Sequence, residues 1–236
     1  MGEISNRDDL ELMFGKRILQ LTRERRNRLI VLLGSPPNPL NVPESFWIET
    51  GREMYSRVIV ILTAIAAKAA IEHGATAFQS SLIARQFAEK RAAELVAGWV
   101  DHSQQILRSQ SADWNQSSTP ISGSGPASKP PTHADAIEVS DTIFGPDRIS
   151  RLASTETTNA QTHGAEKAVE TVGGISENDL WFTREDGKVC TVCRPLHETP
   201  RSFWSQFVPS GPPAHPDCRC YLLYENLGEI RGGKAD

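Results

Sequence analysis

All four cysteines of the chain lie between positions 190 and 220. Cys190-Thr-Val-Cys193 leaves two residues between the thiols, a spacing at which both sulfurs can converge on one metal ion from a knuckle-like turn. After 21 further residues comes His215-Pro-Asp-Cys218-Arg-Cys220. Histidine and cysteine offer the imidazole and thiolate donors of a tetrahedral zinc site. Cys190, Cys193, His215, Cys218 and Cys220 are thus five candidate ligands for four positions. Cys220 opens an apolar stretch, Cys-Tyr-Leu-Leu-Tyr, so one of Cys218 and Cys220 can be core instead. His197 sits in a polar turn and reads as an ordinary surface histidine. Two other readings stay open, disulfide pairing and buried unligated thiols. A Cys–His nucleophile is a further one. No general base or open position accompanies the cysteines, so structural zinc is the expected cofactor and the site is expected to staple the chain.

Other chemistry is sparse. The chain has no GxxxxGK[ST], GxGxxG after a strand, GxSxG or HExxH, and no separated His-Asn-His set of an HNH-type nuclease. Glu185 and Asp186 are adjacent carboxylates in a turn and read as solvated. No catalytic residue is assigned, and the chain is expected not to be an enzyme.

Local patterns place these residues on elements. Leu180-Trp-Phe-Thr reads as a strand and Asp186-Gly187 as a tight hairpin turn leading into Cys190. Pro212, Pro213 and Pro216 stiffen the second ligand segment. Upstream, four helices are expected: 8–33, from about 43 to 73, from about 79 to 108, and 145–173. Leu10, Phe14, Ile18 and Leu21 form one apolar stripe on the first. The second and third read as a long α-hairpin with Gly74 at its tip. Gly164 inside the fourth costs about 1 kcal/mol against alanine, which implies close packing or a kink there. Residues 109–136 are rich in Ser, Pro and Gly and read as a linker or exposed loop. The expected class is α+β, mostly α. The long N-terminal helices of region 1–108 precede this linker, and a small C-terminal α/β element with a Cys/His knuckle occupies 137–236.

The 236 residues carry a formal charge of −4, 39% hydrophobic and 23% charged residues. That balance excludes a polycation that coats nucleic acid and points to polar arms or linkers. One concentrated basic cluster, Arg23, Arg25, Arg26 and Arg28, is either a solvated helix face or a contact for DNA or a partner protein. The N-terminus shows no signal-peptide pattern, and Asn6 breaks a myristoylation motif. The most apolar run, 58–70, is too short to span a bilayer, so no membrane span is expected. A reducing cytosol, where paired thiols favour metal, is the expected setting.

The stretch from Trp181 to Tyr221 resembles the C-terminal domain of the phage Mu F-like, or SPP1 gene-7-like, minor head proteins. The resemblance rests on Asp186-Gly-Lys-Val-Cys-Thr-Val-Cys193, then Arg194-Pro-Leu, then Pro212-Pro-Ala-His-Pro-Asp-Cys-Arg-Cys220. The ending PPxHPxCRC is its most specific part. Arg151, Thr155 and Glu156 match the family's Arg-x-x-x-Thr-Glu helix. Together these pieces cover roughly 146–225, and no motif anchors the N-terminal helices. Where family members often carry a glycine shortly after Arg-Pro-Leu, this chain has His197-Glu198.

The resemblance implies a head morphogenesis protein of a phage or prophage, a structural component of the virion or procapsid interior assembled in the bacterial host cytoplasm. It would be portal-associated and act in DNA packaging or delivery. Expected partners are the portal protein, capsid or scaffold proteins, packaged DNA, and other copies of the chain. About a dozen residues follow Tyr224, so the toxin domain that some relatives append is not expected here. The alternative is a zinc-stabilised nucleic-acid-binding module, and behind it a nuclease or thiol-dependent enzyme.

Overall fold

The computed structural model describes residues 4–116, 130–184, 187 and 189–225. It is mostly helical, with a small antiparallel sheet near the C-terminus, the α+β class expected from the sequence. The helices are α1 (Arg7–Leu33), α2 (Glu44–Glu72), α3 (Ala77–Gln116), α4 (His133–Phe144), α5 (Pro146–Val172) and the short α6 (Arg201–Trp204). The strands are β1 (Leu180–Phe182), β2 (Thr199–Pro200) and β3 (Tyr221–Leu223).

Contacts divide the chain into two units, and both draw on segments from each side of the 109–136 stretch. One comprises Met1–Gly15, Val58–Ala92 and Ser150–Asp236, the other Lys16–Arg57 and Ala93–Ile149. The expected linker is shorter than its composition implies. Helix α3 continues to Gln116, and α4 opens at His133. Residues 117–129 of it lie outside the described residues. Helix α4 was not among the expected elements, yet it has a local start signal. The Thr132 N–H and hydroxyl both donate to Asp135 Oδ2, at 2.6 and 2.7 Å, a capping box that satisfies donors at the helix N-terminus. Ala136, Val139 and Ile143 then form its buried stripe.

In the unit Lys16–Arg57 with Ala93–Ile149, α2 and α3 run side by side. A Cβ on Gly51 would stand 3.4 Å from Val100 and 3.5 Å from Val96. Phe144 of α4 packs against Phe46 and Trp99. Arg148 lies over the Trp99 ring at 4.9 Å and donates to Ser103 Oγ and the Ile143 carbonyl.

In the other unit, the tip of the α2–α3 hairpin turns at Gly74 with φ of +100°, a region glycine enters without steric penalty. Ala66, Ala69 and Ala70 of α2 are fully buried. Opposite them, Gly164 lets α5 approach backbone to backbone, since a Cβ there would stand 2.2 Å from the Ala66 carbonyl oxygen. The glycine expected to mark close packing or a kink thus marks close packing. Helix α2 is also long and apolar enough, by length and composition, to cross a membrane, a test that core helices pass too; 44% of its most apolar stretch is buried within the structure.

The sheet order is β2-β1-β3. Trp181 pairs with Thr199 on one side and Leu222 on the other. The chain after Gly187 therefore returns along β1 only at Thr199, as β2, and not directly from the turn as a tight hairpin strand. Residues 191–193 form a turn instead, and Glu185 and Asp186 lie outside the described residues. Trp181 and Trp204 fill the core beneath the sheet together with Leu196, Leu222, Cys193, Cys218 and Cys220, against Ala165 and Val169 of α5.

Candidate metal centre

The first pair of donors comes from a tight turn. Arg194 N–H donates to the Cys190 carbonyl at 3.0 Å, and Cys193 N–H donates to Cys190 Sγ at 3.3 Å. The turn thereby folds both sulfurs to one side. The second segment bends likewise, with Cys218 N–H donating to the His215 carbonyl at 3.2 Å. Within the second bend Asp217 has φ of +64°, a left-handed conformation that aspartate tolerates better than most residues.

The two segments meet. His215 Nε2 lies 2.9 Å from Cys190 Sγ and 3.2 Å from Cys193 Sγ, and Cys193 Sγ lies 3.9 Å from Cys218 Sγ. With metal–sulfur bonds near 2.3 Å, a tetrahedral site has a sulfur–sulfur edge of about 3.8 Å. Two overlapping groups result, Cys190–Cys193–His215 and Cys193–Cys218–Cys220, each with donor atoms within 4.8 Å of one another. Cys193 belongs to both. All five sequence-predicted ligands are therefore brought together, in an arrangement compatible with metal binding. The four thiols are free of disulfides. Cys193, Cys218 and Cys220 are buried and Cys190 is partly exposed.

Three further observations fit a cation. The cavity lined by these residues holds about 20 Å³, room for one ion or water but not for an organic substrate. His215 Nδ1 lies 2.7 Å from the Pro216 carbonyl, which makes Nδ1 the protonated nitrogen and turns the Nε2 lone pair to the sulfurs, the usual second contact of a ligating histidine. The thiols also cannot all ionise unaided. Burial pushes the Cys190 thiol up, but N–H groups of Cys193 and Val192 and the nearby His215 ring outweigh it and hold it below the ordinary range. Cys218 is held low by its contacts with Cys193 and Cys220, while Cys218 and Cys220 push Cys193 far up. A divalent cation removes that conflict.

Helices α5 and α1 both clamp the second segment. Thr155 Oγ1 on α5 accepts from Asp217 N–H at 2.7 Å, and Thr158 Oγ1 donates to the Cys218 carbonyl at 2.5 Å. Arg7, at the start of α1, donates to the Arg219 carbonyl at 3.3 Å and to Thr158 Oγ1 at 2.7 Å. Asp8 accepts from Arg184, beyond β1, at 2.6 Å; that guanidinium holds the Asp8 carboxyl below its usual range.

Of the family-motif residues, Thr155 reaches the site directly. Glu156 is 2% exposed and takes a two-pronged bond from Arg91, 2.7 Å from Nε and 2.6 Å from Nη2. Arg151 is exposed, and its carbonyl accepts from the Thr155 hydroxyl. His197 stays apart from the cysteines: its Nδ1 accepts from Thr183 N–H at 3.1 Å and its ring meets Phe182 edge-on. Arg7, Thr158 and Asp217 did not stand out in the sequence. Only Arg7 left a trace, as a cation on the first turn of a helix, where the dipole favours acids.

The basic cluster lies in the other unit. Arg25 is buried and paired with Glu49 and Glu53, Arg26 with Asp141, and Arg28 with Glu49. Arg23 is exposed. Three of the four arginines thus already hold acidic partners within the fold. Compared with protein families, curated proteins and solved structures, the chain finds no match.

Proposed function

We propose that this chain is a phage or prophage minor head protein similar to the Mu F-like group, and that its Cys/His centre holds one structural zinc ion. The observation that carries the reading is the bond from Asp217 N–H to Thr155 Oγ1. It joins two motif pieces 62 residues apart, the Arg-x-x-x-Thr-Glu helix and the PPxHPxCRC loop, so the residues that resemble the family act as one structural unit. Glu198 supports the same reading. It has φ of +57°, the backbone state that glycine occupies freely, in the stretch where family members often carry glycine.

Zinc follows from the donors. Thiolates with an imidazole are a soft, tetrahedral set, and zinc is the cation that such closed sites most often hold. Cys190, Cys193 and His215 with Cys218 or Cys220 would hold it. When bound, the ion supplies no turnover; it cross-links two loops. The chain's work is then assembly, in contact with the portal and within the procapsid, with no catalytic residue.

The test is co-expression with portal and major capsid protein, followed by isolation of procapsids. The chain is expected in the particle and on the portal. Particles of normal composition that exclude the chain would end this reading, and salt-sensitive DNA binding by the isolated chain would favour the nucleic-acid module instead.

A further inference from the structure

Among the described residues, Arg7 ties the start of α1 to the ligand loop through a part-buried hydrogen bond to the Arg219 carbonyl. Its side chain is almost wholly buried at 2% exposure. A guanidinium is costly to bury and stays only where its donors find acceptors. Here the acceptors are the Arg219 carbonyl, between Cys218 and Cys220, the Ser154 carbonyl and Thr158 Oγ1, with Glu11 one turn along α1 at 3.5 Å. Thr158 in turn donates to the Cys218 carbonyl. One planar fork therefore grips the backbone on both sides of Arg219, directly at the carbonyl of residue 219 and through Thr158 at the carbonyl of residue 218.

We infer that Arg7 is a positioning residue for the Cys/His centre, setting the place of the Cys218 and Cys220 sulfurs and hence the affinity for a soft divalent cation. The inference rests on the metal reading above and deepens it. The start of α1 has a second tie that does not touch the centre. Ser5 N–H donates to Glu72 at 3.0 Å, and Lys68 donates to Ser5 Oγ at 2.9 Å. This second tie separates a general loosening of α1 from a displaced ligand loop.

The experiment titrates the full chain with cobalt(II) and zinc(II) against a chromophoric chelator. The wild type is compared with Arg7→Met, Arg7→Lys, Thr158→Val and Glu72→Gln. Loss of such an outer contact lowers metal affinity by about 10–100-fold. That loss is expected for Arg7→Met, with a smaller one for Arg7→Lys, which keeps the charge but not the fork. Thr158→Val should lose affinity too, and Glu72→Gln should keep it. Equal affinities for folded Arg7→Met and wild type overturn the inference. So does a loss in Glu72→Gln as large as that in Arg7→Met. Where Arg7→Met does not fold, Arg7→Lys and Thr158→Val decide on the same readout. If the wild type binds neither cation, the metal reading fails, and Arg7 is judged on the metal-free chain. Alkylation of Cys218 and Cys220 must then be faster in the Arg7 variants than in wild type, and equal rates reject the positioning role.

Discussion

The hydroxyl of Thr155 accepts the backbone N–H of Asp217 at 2.7 Å while donating to the Arg151 carbonyl of its own helix, also at 2.7 Å. A single side chain thus fastens the ligand loop to α5 at the point where Asp217 adopts a left-handed backbone. Thr155→Val keeps the shape and removes the acceptor. A lost hydrogen bond of this kind costs about 1 kcal/mol. The variant is expected to unfold earlier in urea and to exchange the Asp217 amide faster. Unchanged exchange at that amide would show that the loop holds itself.

Cys193 belongs to both groups of donors. Cys193→Ser is expected to abolish binding of one zinc per chain, measured by elemental analysis of the purified protein. Of Cys218→Ser and Cys220→Ser, one should retain the metal, because four positions need only one of the two thiols. Full retention in Cys193→Ser would reject the shared-ligand geometry.

Gly164 faces the Ala66 carbonyl with no space for a methyl group. Gly164→Ala gains helix propensity but forces α2 and α5 apart, and overpacking of this kind typically costs about 1–3 kcal/mol. A net loss of stability in chemical denaturation is expected. A gain would mean that the helices separate freely.

Glu198 spends its conformation in the left-handed region, which costs a non-glycine residue about 1–2 kcal/mol. Its amide donates to the Trp181 carbonyl at 2.7 Å, a bond that glycine keeps. Glu198→Gly is expected to be neutral or stabilising despite glycine's greater freedom when unfolded. Thermal denaturation reads the sign, and a clear drop in Tm would contradict it.

Glu166 is held above its usual range chiefly by burial, against the pull of Arg201 at 3.0 Å. A raised folded value means that its contribution to stability is full below the ordinary 4.5 and is lost as pH rises through the folded value. The stability difference between Glu166→Gln and the wild type should therefore move in favour of the variant from pH 4 to pH 7. Movement the other way would mean that the pairing with Arg201 outweighs burial.

The helices and the donors were legible locally. Apolar spacing marked α1, α3 and α5, a proline start at Pro43 and a glycine stop at Gly74 marked α2, and the CxxC and HxxCxC spacings marked all five candidate ligands. These signals are short-range, because helical period and ligand convergence depend on residues within a turn or two. Helix α4 was hidden by its neighbourhood of Ser, Pro and Gly, although Thr132 and Asp135 carried its start. The tight hairpin expected at Asp186-Gly187 does not supply the partners of β1, which are β2 and β3, because strand pairing is settled by residues further along the chain rather than by a turn signal alone.

What the amino-acid order determined by itself is the chemistry on offer: soft donors crowded into one stretch, and a class of fold able to bury them. Which groups steady those donors was decided only by tertiary structure. Arg7 meets the Arg219 carbonyl across 212 residues, and Thr158 meets Cys218 across 60. No local pattern encodes such pairs. They exist because packing α1 and α5 against the ligand loop leaves buried backbone carbonyls that must find a donor.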